Sequence, residues 1–378
     1  MVTEKMNIPY ISLGLQHQHI KKEILKNIEA LLDSGQFILG EETLRFEKQF
    51  AALSGTKYAL GVANGTDALF LSLMALGIGK GDEVITAPNS FLASASSVVI
   101  AGAKPVFADV RDDFNLDPEM VERAITKHTK AIIVVHLTGR PAPMDELLAI
   151  AKKHNLHIIE DAAQAVGAQY NGKPVGSMGA TGCFSLHPLK NLAACGDGGV
   201  ITTNDEKIYQ YLLLARNHGL KNRDECVFFT FNSRLDNMQA AILNVKLKEL
   251  DQWTKRRREI AGMYQNGLKG LPMIIPADKP NEKAVYHTFI IQTEHRDELK
   301  KHLAEQGIDT KVHYPLAIHQ QEAAKGLGYK KGDFPKTDRQ VETILSLPVY
   351  PELTNEQVNY IIEHIRSFFS GKSVNTNR

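Results

Sequence analysis

Cys183-Phe184-Ser185-Leu186-His187-Pro188-Leu189-Lys190-Asn191, followed closely by Gly196-Asp197-Gly198-Gly199, is the stretch that decides how the chain is read. Gly182 to Leu186 is a short apolar strand, and it runs into a turn marked by Pro188 that presents one lysine. The glycines beyond it let the backbone fold back tightly. A lysine in a turn is ordinarily a solvated surface group. Buried and kept away from charged helix faces, it becomes a candidate Schiff-base former, because burial lowers an amine's pKa and leaves it nucleophilic.

Upstream, Leu156-His157-Ile158-Ile159-Glu160-Asp161-Ala162-Ala163-Gln164 reads as a buried strand that ends in a carboxylate, then small residues, then an amide. An acid at a strand's C-terminal end, with a lysine one crossover later, suits pyridoxal 5′-phosphate (PLP). That cofactor needs a carboxylate on its pyridine nitrogen and a lysine on its aldehyde. Read by itself, Asp161 would equally serve as a helix N-cap.

Working outward, apolar strands alternate with amphipathic helices. Strands are expected over Lys57 to Val62, Glu83 to Ala87, Pro105 to Val110, Ala131 to Leu137 and Leu156 to Asp161. Helices are expected over Thr66 to Leu76, Ser90 to Ala101, Pro118 to Thr126 and Asp145 to His154. This rhythm predicts an α/β fold, a mostly parallel sheet covered by helices on both faces. Ligands of such sheets sit beyond the carboxyl ends of the strands, where Gly65, Phe91, Asp161 and Lys190 fall. Before the sheet, His17 to Leu32 and Glu42 to Leu53 have helical spacing. After it, Arg234 to Leu250 reads as a long helix that continues through Trp253 into the basic run Lys255 to Arg258, read as a solvated helix face with an anion-binding role as the alternative. The Gly- and Pro-containing segment Gly267 to Pro280 leads into a smaller α+β unit, with a strand at Thr288 to Ile291 and helices near Arg296–Gln306 and Asn355–Phe368. The expected division is 1–250 for a large domain and 251–378 for a small one. The polar tail Ser370 to Arg378 is expected to be disordered.

Bulk properties narrow the function classes. The 378 residues suffice for a large core and more than one domain. A net charge of +1 gives no electrostatic case for a nucleic-acid or membrane partner. Three cysteines without a CxxC spacing make neither a disulfide framework nor a zinc site, and no metal is expected. The N-terminal stretch lacks an apolar signal core, and no apolar run is long enough to span a membrane. A cytoplasmic protein is expected.

Ala163-Gln164-Ala165 after Asp161, Phe184 to Asn191 and Gly196 to Gly199 are joined upstream by Gly61-Val62-Ala63-Asn64-Gly65-Thr66-Asp67-Ala68-Leu69 and Ala87-Pro88-Asn89-Ser90-Phe91-Leu92-Ala93-Ser94. In this order the motifs resemble the DegT/StrS-type sugar aminotransferases, over about Ile11 to Ile365. The resemblance implies PLP-dependent transferase fold type I, the aspartate aminotransferase fold, with a seven-stranded sheet in the large domain. It implies that the amides of Gly65 and Thr66 and the hydroxyl of Ser185 bind the cofactor phosphate. A helix N-terminus favours an anion on its own account. It further implies that Asn232 reaches the phosphate from a neighbouring subunit, so that the active site needs a homodimer. Phe91 would stack on the pyridine ring, Asp161 would keep the ring nitrogen protonated, and Gln164 would meet the phenolic oxygen. Lys190 would hold the cofactor and then act as general base.

For substrate, Tyr314 and His319 resemble the family's small-domain segment facing the sugar. His187 reads as a supporting or structural group beside the lysine, and Arg234 as a group that meets either a glutamate carboxylate or a surface partner. Some relatives carry histidine in place of the lysine and act as dehydratases; the lysine here favours transamination. The implied reaction moves an amino group from L-glutamate to a keto sugar linked to a nucleotide. Alternatives are a sugar dehydratase or lyase, a non-nucleotide keto sugar or cyclitol as acceptor, and a PLP-binding regulator without turnover.

Overall fold

Strands made almost wholly of apolar residues can be buried only if helices cover both faces of their sheet. The computed structural model, which describes residues 5–373, is built in this way. The chain enters through α1 (Leu13–His17), α2 (Lys21–Ser34) and α3 (Glu41–Leu53). Strand and helix then alternate as β1 (Tyr58–Val62), α4 (Gly65–Ala75), β2 (Glu83–Thr86), α5 (Ala93–Ile100), β3 (Lys104–Phe107), α6 (Pro118–Ala124), β4 (Thr129–Val135), α7 (Met144–His154) and β5 (His157–Asp161). Two short strands, β6 (Gln169–Tyr170) and β7 (Lys173–Pro174), precede β8 (Thr181–Ser185) and β9 (Gly199–Thr203). Next come α8 (Glu206–Ala215), α9 (Asn237–Lys246), α10 (Leu250–Gly267) and β10 (Glu282–Lys283). The C-terminal portion holds β11 (Phe289–Gln292), α11 (Arg296–Glu305), α12 (Pro335–Thr343), β12 (Ile344–Leu347) and α13 (Asn355–Ser373).

The main sheet has seven strands in the order β1-β9-β8-β5-β4-β2-β3. Strands β8, β5, β4, β2 and β3 pair in parallel, and β9 runs against both its neighbours. The carboxyl ends of β1, β5 and β8 therefore share one edge. A second apolar cluster joins Ile260 and Tyr264 of α10 to Phe289 of β11, Leu345 of β12 and Ile361 of α13. Ile8, near the N-terminus, belongs to this cluster and bridges Ile308.

Four readings of the sequence need correction. The segment read as one helix from Arg234 through Trp253 is two helices, because Lys248 and Glu249 donate to carbonyls only three residues back, at 3.2 and 3.1 Å, and this tighter turn redirects the chain. The first long helix starts at Lys21 rather than His17. Ser370 lies within α13 rather than in a disordered tail, while residues 374–378 lie outside the described residues. Within the basic run, Arg257 is buried rather than solvated.

Side chains alternate across a strand, so the two acids that end β5 have different fates. Glu160 is fully buried and accepts from the N–H groups of Gly176, Met178 and Gly179, each at 2.7 Å. His136 completes the set: its Nδ1 accepts from the Ala142 N–H, which leaves Nε2 to donate to Glu160 at 3.1 Å. This carboxylate ties β4, β5 and the segment before β8 together. Glu160→Ala would strand three N–H donors, one buried and two partly buried, together with the buried His136, and we expect a loss of about 3–5 kcal/mol in stability, read from thermal or urea unfolding. An unchanged transition would refute this role.

Candidate active site

The turns after β1, β5 and β8 enclose a cavity of about 640 Å³. Lys190 enters it from the turn after β8. That turn is pinned locally: the Lys190 N–H donates to the His187 carbonyl at 2.8 Å, and the His187 N–H donates to Ser185 Oγ at 3.3 Å. Beyond it, Leu192 and Ala193 are buried and the Asn191 amide donates to the Val285 carbonyl at 3.1 Å. The backbone on either side cannot drift, so the lysine is held in place. Burial lowers its pKa to about 8, opposed by the charge of Asp161.

Asp161 faces the same cavity from the end of β5 and is 5% exposed. Its Oδ2 accepts from Ser94 Oγ at 3.1 Å and its Oδ1 from the Ala163 N–H at 3.2 Å. Burial raises its pKa, against the Ala163 N–H, the Lys190 charge and the Ser94 hydroxyl. Asp161 is thus a side chain aimed into the cavity and not a helix cap.

At the cavity's other end is the start of α4. The cap is Asn64, whose side chain accepts from the Asp67 N–H at 2.8 Å; Thr66 and Asp67 do not serve as caps. The first-turn N–H groups of Gly65 and Thr66 have no partner within the helix, which suits an anion. Glycine is required at this place, since a Cβ on Gly65 would come within 2.8 Å of Ser185 Cβ. A Cβ on Gly199 would come within 2.3 Å of the Asn64 carbonyl oxygen, so the end of the glycine-rich run lets β9 press against this turn.

Phe91 is 53% exposed at the cavity mouth, with its ring 5.8 Å from that of Tyr314. Gln164 accepts from the Thr138 N–H at 2.7 Å through Oε1, leaving its NH₂ for the cavity. Tyr314 and His187 also line it, and burial pushes the Tyr314 hydroxyl up to about 12. His287 and His313 line the cavity and were not anticipated from sequence. His313 stands next to the Tyr314 that was singled out, but His287 carries no motif signal. Burial lowers both, His313 to about 4 and His287 well below the usual histidine range.

Three predicted residues are not brought here. His319 is buried elsewhere, with Nε2 3.3 Å from Asp338 and its ring against Phe334. Asn232 is exposed and bridges Asn217, and the N-cap of α9 is Asp236. Arg234 donates to Asn217 at 2.9 Å. Among the described residues no cluster of His, Cys, Asp or Glu side chains could hold a metal ion, and no helix is long and apolar enough to cross a membrane.

The donor set fits pyridoxal phosphate: an amine of lowered pKa, a buried carboxylate opposite it, and a glycine-lined helix start for the phosphate. Fold and cavity together define a PLP-dependent transferase of fold type I. A statistical model of the DegT/DnrJ/EryC1/StrS aminotransferase family matches residues 18–366, and the chain belongs to that family. It is 45% identical, over 96% of this chain and 99% of that protein, to the "Pleiotropic regulatory protein" of Geobacillus stearothermophilus. It is 42% identical to the dTDP-3-amino-3,4,6-trideoxy-alpha-D-glucose transaminase of Streptomyces venezuelae, over 97% of both chains. Among solved structures, S. venezuelae DesV in complex with a ketimine intermediate superposes with a TM-score of 0.94 at 42% identity, covering 96% of this chain and 98% of that one. Similar aminotransferases have been solved with the cofactor as PLP or as its amine form, PMP.

The lowered pKa of Lys190 has a stability consequence. The folded chain binds this proton less tightly than the unfolded chain, so the cost of burying the cation is fully present below about pH 8 and fades as pH rises to the ordinary lysine value of 10.5. Cofactor-free Lys190→Met is therefore expected to unfold at a higher temperature than the unaltered cofactor-free protein below pH 8, with the gain shrinking between pH 8 and 10.5. A gain independent of pH would contradict the assignment.

Proposed function

We propose that the protein is a homodimeric aminotransferase that takes the amino group of L-glutamate and delivers it to a keto hexose carried on a nucleotide. The observation that carries this reading is the opposition of Lys190 and Asp161 across one cavity at the carboxyl edge of the sheet, in a chain of this family. The nucleotide-linked acceptor rests on relatives such as the dTDP-sugar transaminase, whose name also places the nitrogen at C3.

When bound, PLP supplies an aldehyde that captures amines and a protonated ring that draws electrons from the neighbouring carbon. The chain's own residues supply the rest. Gly65 and Thr66, through their N–H groups, and Ser185, through its hydroxyl, bind the phosphate. Asp161 holds the ring nitrogen protonated; a cation beside it offsets the burial that otherwise raises its pKa. Phe91 covers the ring and Gln164 donates to its phenolic oxygen. Lys190 anchors the cofactor through Nζ. Freed by the incoming amine, the same Nζ would take the proton from the donor's α-carbon and deliver it to the carbon that bore the cofactor's aldehyde, and a pKa of about 8 suits a base working near neutrality. Tyr314 and His187 face the substrates.

Asn232 and Arg234 lie outside this chain's cavity, which fits a role in the site of a second copy. Leu25 and Leu32 on α2 and Leu44 on α3 leave exposed apolar side chains for such a copy to cover. The division near residue 250 into a large and a small domain belongs to the same proposal, with the Ile8 segment returning to the smaller unit.

The visible spectrum of the protein with PLP, before and after L-glutamate, tests this reading. The absorption of lysine-bound cofactor is expected, with bleaching and stoichiometric release of 2-oxoglutarate. Ammonia release with deaminated product would identify a lyase, and absence of the lysine-bound band would remove the central residue. Lys190→Ala is expected to bind the cofactor without a covalent link and to lose turnover by roughly a thousandfold or more. Gly65→Val, which drives a side chain into Ser185, is expected to weaken cofactor binding by about tenfold or more in equilibrium dialysis, through the loss of phosphate hydrogen bonds.

A further inference from the structure

Arg256, Arg257 and Arg258 stand side by side in the sequence of α10 and have different surroundings. Arg256 pairs with Glu259, and Arg258 with Asp278. Arg257 is 3% exposed and donates through Nη1 to the carbonyls of Tyr286 and Val349. Its Nε has no hydrogen-bond partner among the described residues, and the carboxylate that acts on its charge, Glu352, does so through space. A buried guanidinium is costly unless its charge and donors are met.

Arg257 lines a small cavity of about 50 Å³. Tyr10 and Thr288 line it too; Thr288 Oγ1 is likewise buried without a partner, and Tyr10 Oη is buried with the Ser346 hydroxyl acting on it. Leu189, His287 and His313 form a wall shared with the catalytic cavity. Roughly 10–15 Å³ of such space holds one water, so there is room for an ion. One N–H and two O–H donors, beside a fixed positive charge and with no carboxylate in the lining, make a donor set for an anion. Water would satisfy the donors but bring no negative charge to add to the distant Glu352.

We propose that this cavity binds a small monovalent inorganic anion of halide size, held by Arg257 Nε, Tyr10 Oη and Thr288 Oγ1. Seated there, the anion separates the guanidinium charge from His287 and from Lys190 beyond it. The site is independent of the substrate assignment.

Crystals of the PLP-loaded enzyme grown in sodium bromide test the proposal. An anomalous bromine peak is expected within hydrogen-bond distance of all three residues; density accounted for by water alone overturns it. In solution, the unfolding temperature of the holoenzyme is followed as bromide replaces a bulky sulfonate at constant ionic strength. A saturable rise is expected. Thr288→Val and Tyr10→Phe, which each remove one hydroxyl, are expected to raise the half-saturating concentration by about tenfold. Arg257→Gln is expected to abolish the response. A response that is absent, or that is the same in Thr288→Val and Tyr10→Phe as in the unaltered protein, overturns the proposal, whether or not Arg257→Gln folds.

Discussion

Two ionisable groups of opposite sign, Lys190 and Asp161, look into one cavity from adjacent strands, and each makes the other tolerable. Burial works against both charges, and each one's charge works against the other's desolvation. Neither group would be retained in such a place by packing alone. The strands that carry them, β5 and β8, pair in parallel, with Asp161 opposite Cys183. That register sets the acid on the strand end while the lysine comes from the turn beyond the neighbouring strand.

The surrounding structure restricts the freedom of those two groups. Phe184 packs edge-on against Phe50 of α3, with ring centroids 4.9 Å apart, and so fastens β8 to the N-terminal helices. Glu160 anchors the strand that ends in Asp161, and the two acids take different donors. The glycines at positions 65 and 199 allow the turn before α4, the end of β8 and the start of β9 to approach more closely than any side chain would permit. A site of this kind depends on close-packed backbone as much as on reactive groups.

Much of this was legible from residue order. Apolar runs alternating with helical periodicity identify a doubly covered sheet, and acid, amide and lysine fall where such sheets bind ligands. The antiparallel β9 was not read out, because Gly199-Val200-Ile201-Thr202-Thr203 follows a glycine-rich turn and has no crossover helix to announce its direction. His287 was missed for a similar reason: it is brought to the lysine by packing across the fold, with no local pattern around it. His319 was expected from the resemblance of its segment to the family's small-domain segment, yet a short 3₁₀ turn at Ile318–Gln320 carries its ring toward Phe334 instead. Asn232 and Arg234 lie outside this chain's cavity, where both meet Asn217.

The two buried cations of this region, Lys190 and Arg257, meet their cost of burial by different means. The lysine can lose its proton, and its pKa falls to about 8. The guanidinium stays protonated at any working pH and must instead be met by carbonyls and by whatever enters the space beside it. His287 stands between them. Burial first, and then the charges of Lys190 and Arg257, hold it neutral. A neutral imidazole there adds no third positive charge and keeps the Asn191 contact that steadies the lysine turn. The spacing of Lys190, His287 and Arg257 thus lets one small region contain an amine of lowered pKa and a permanent cation without a third positive charge.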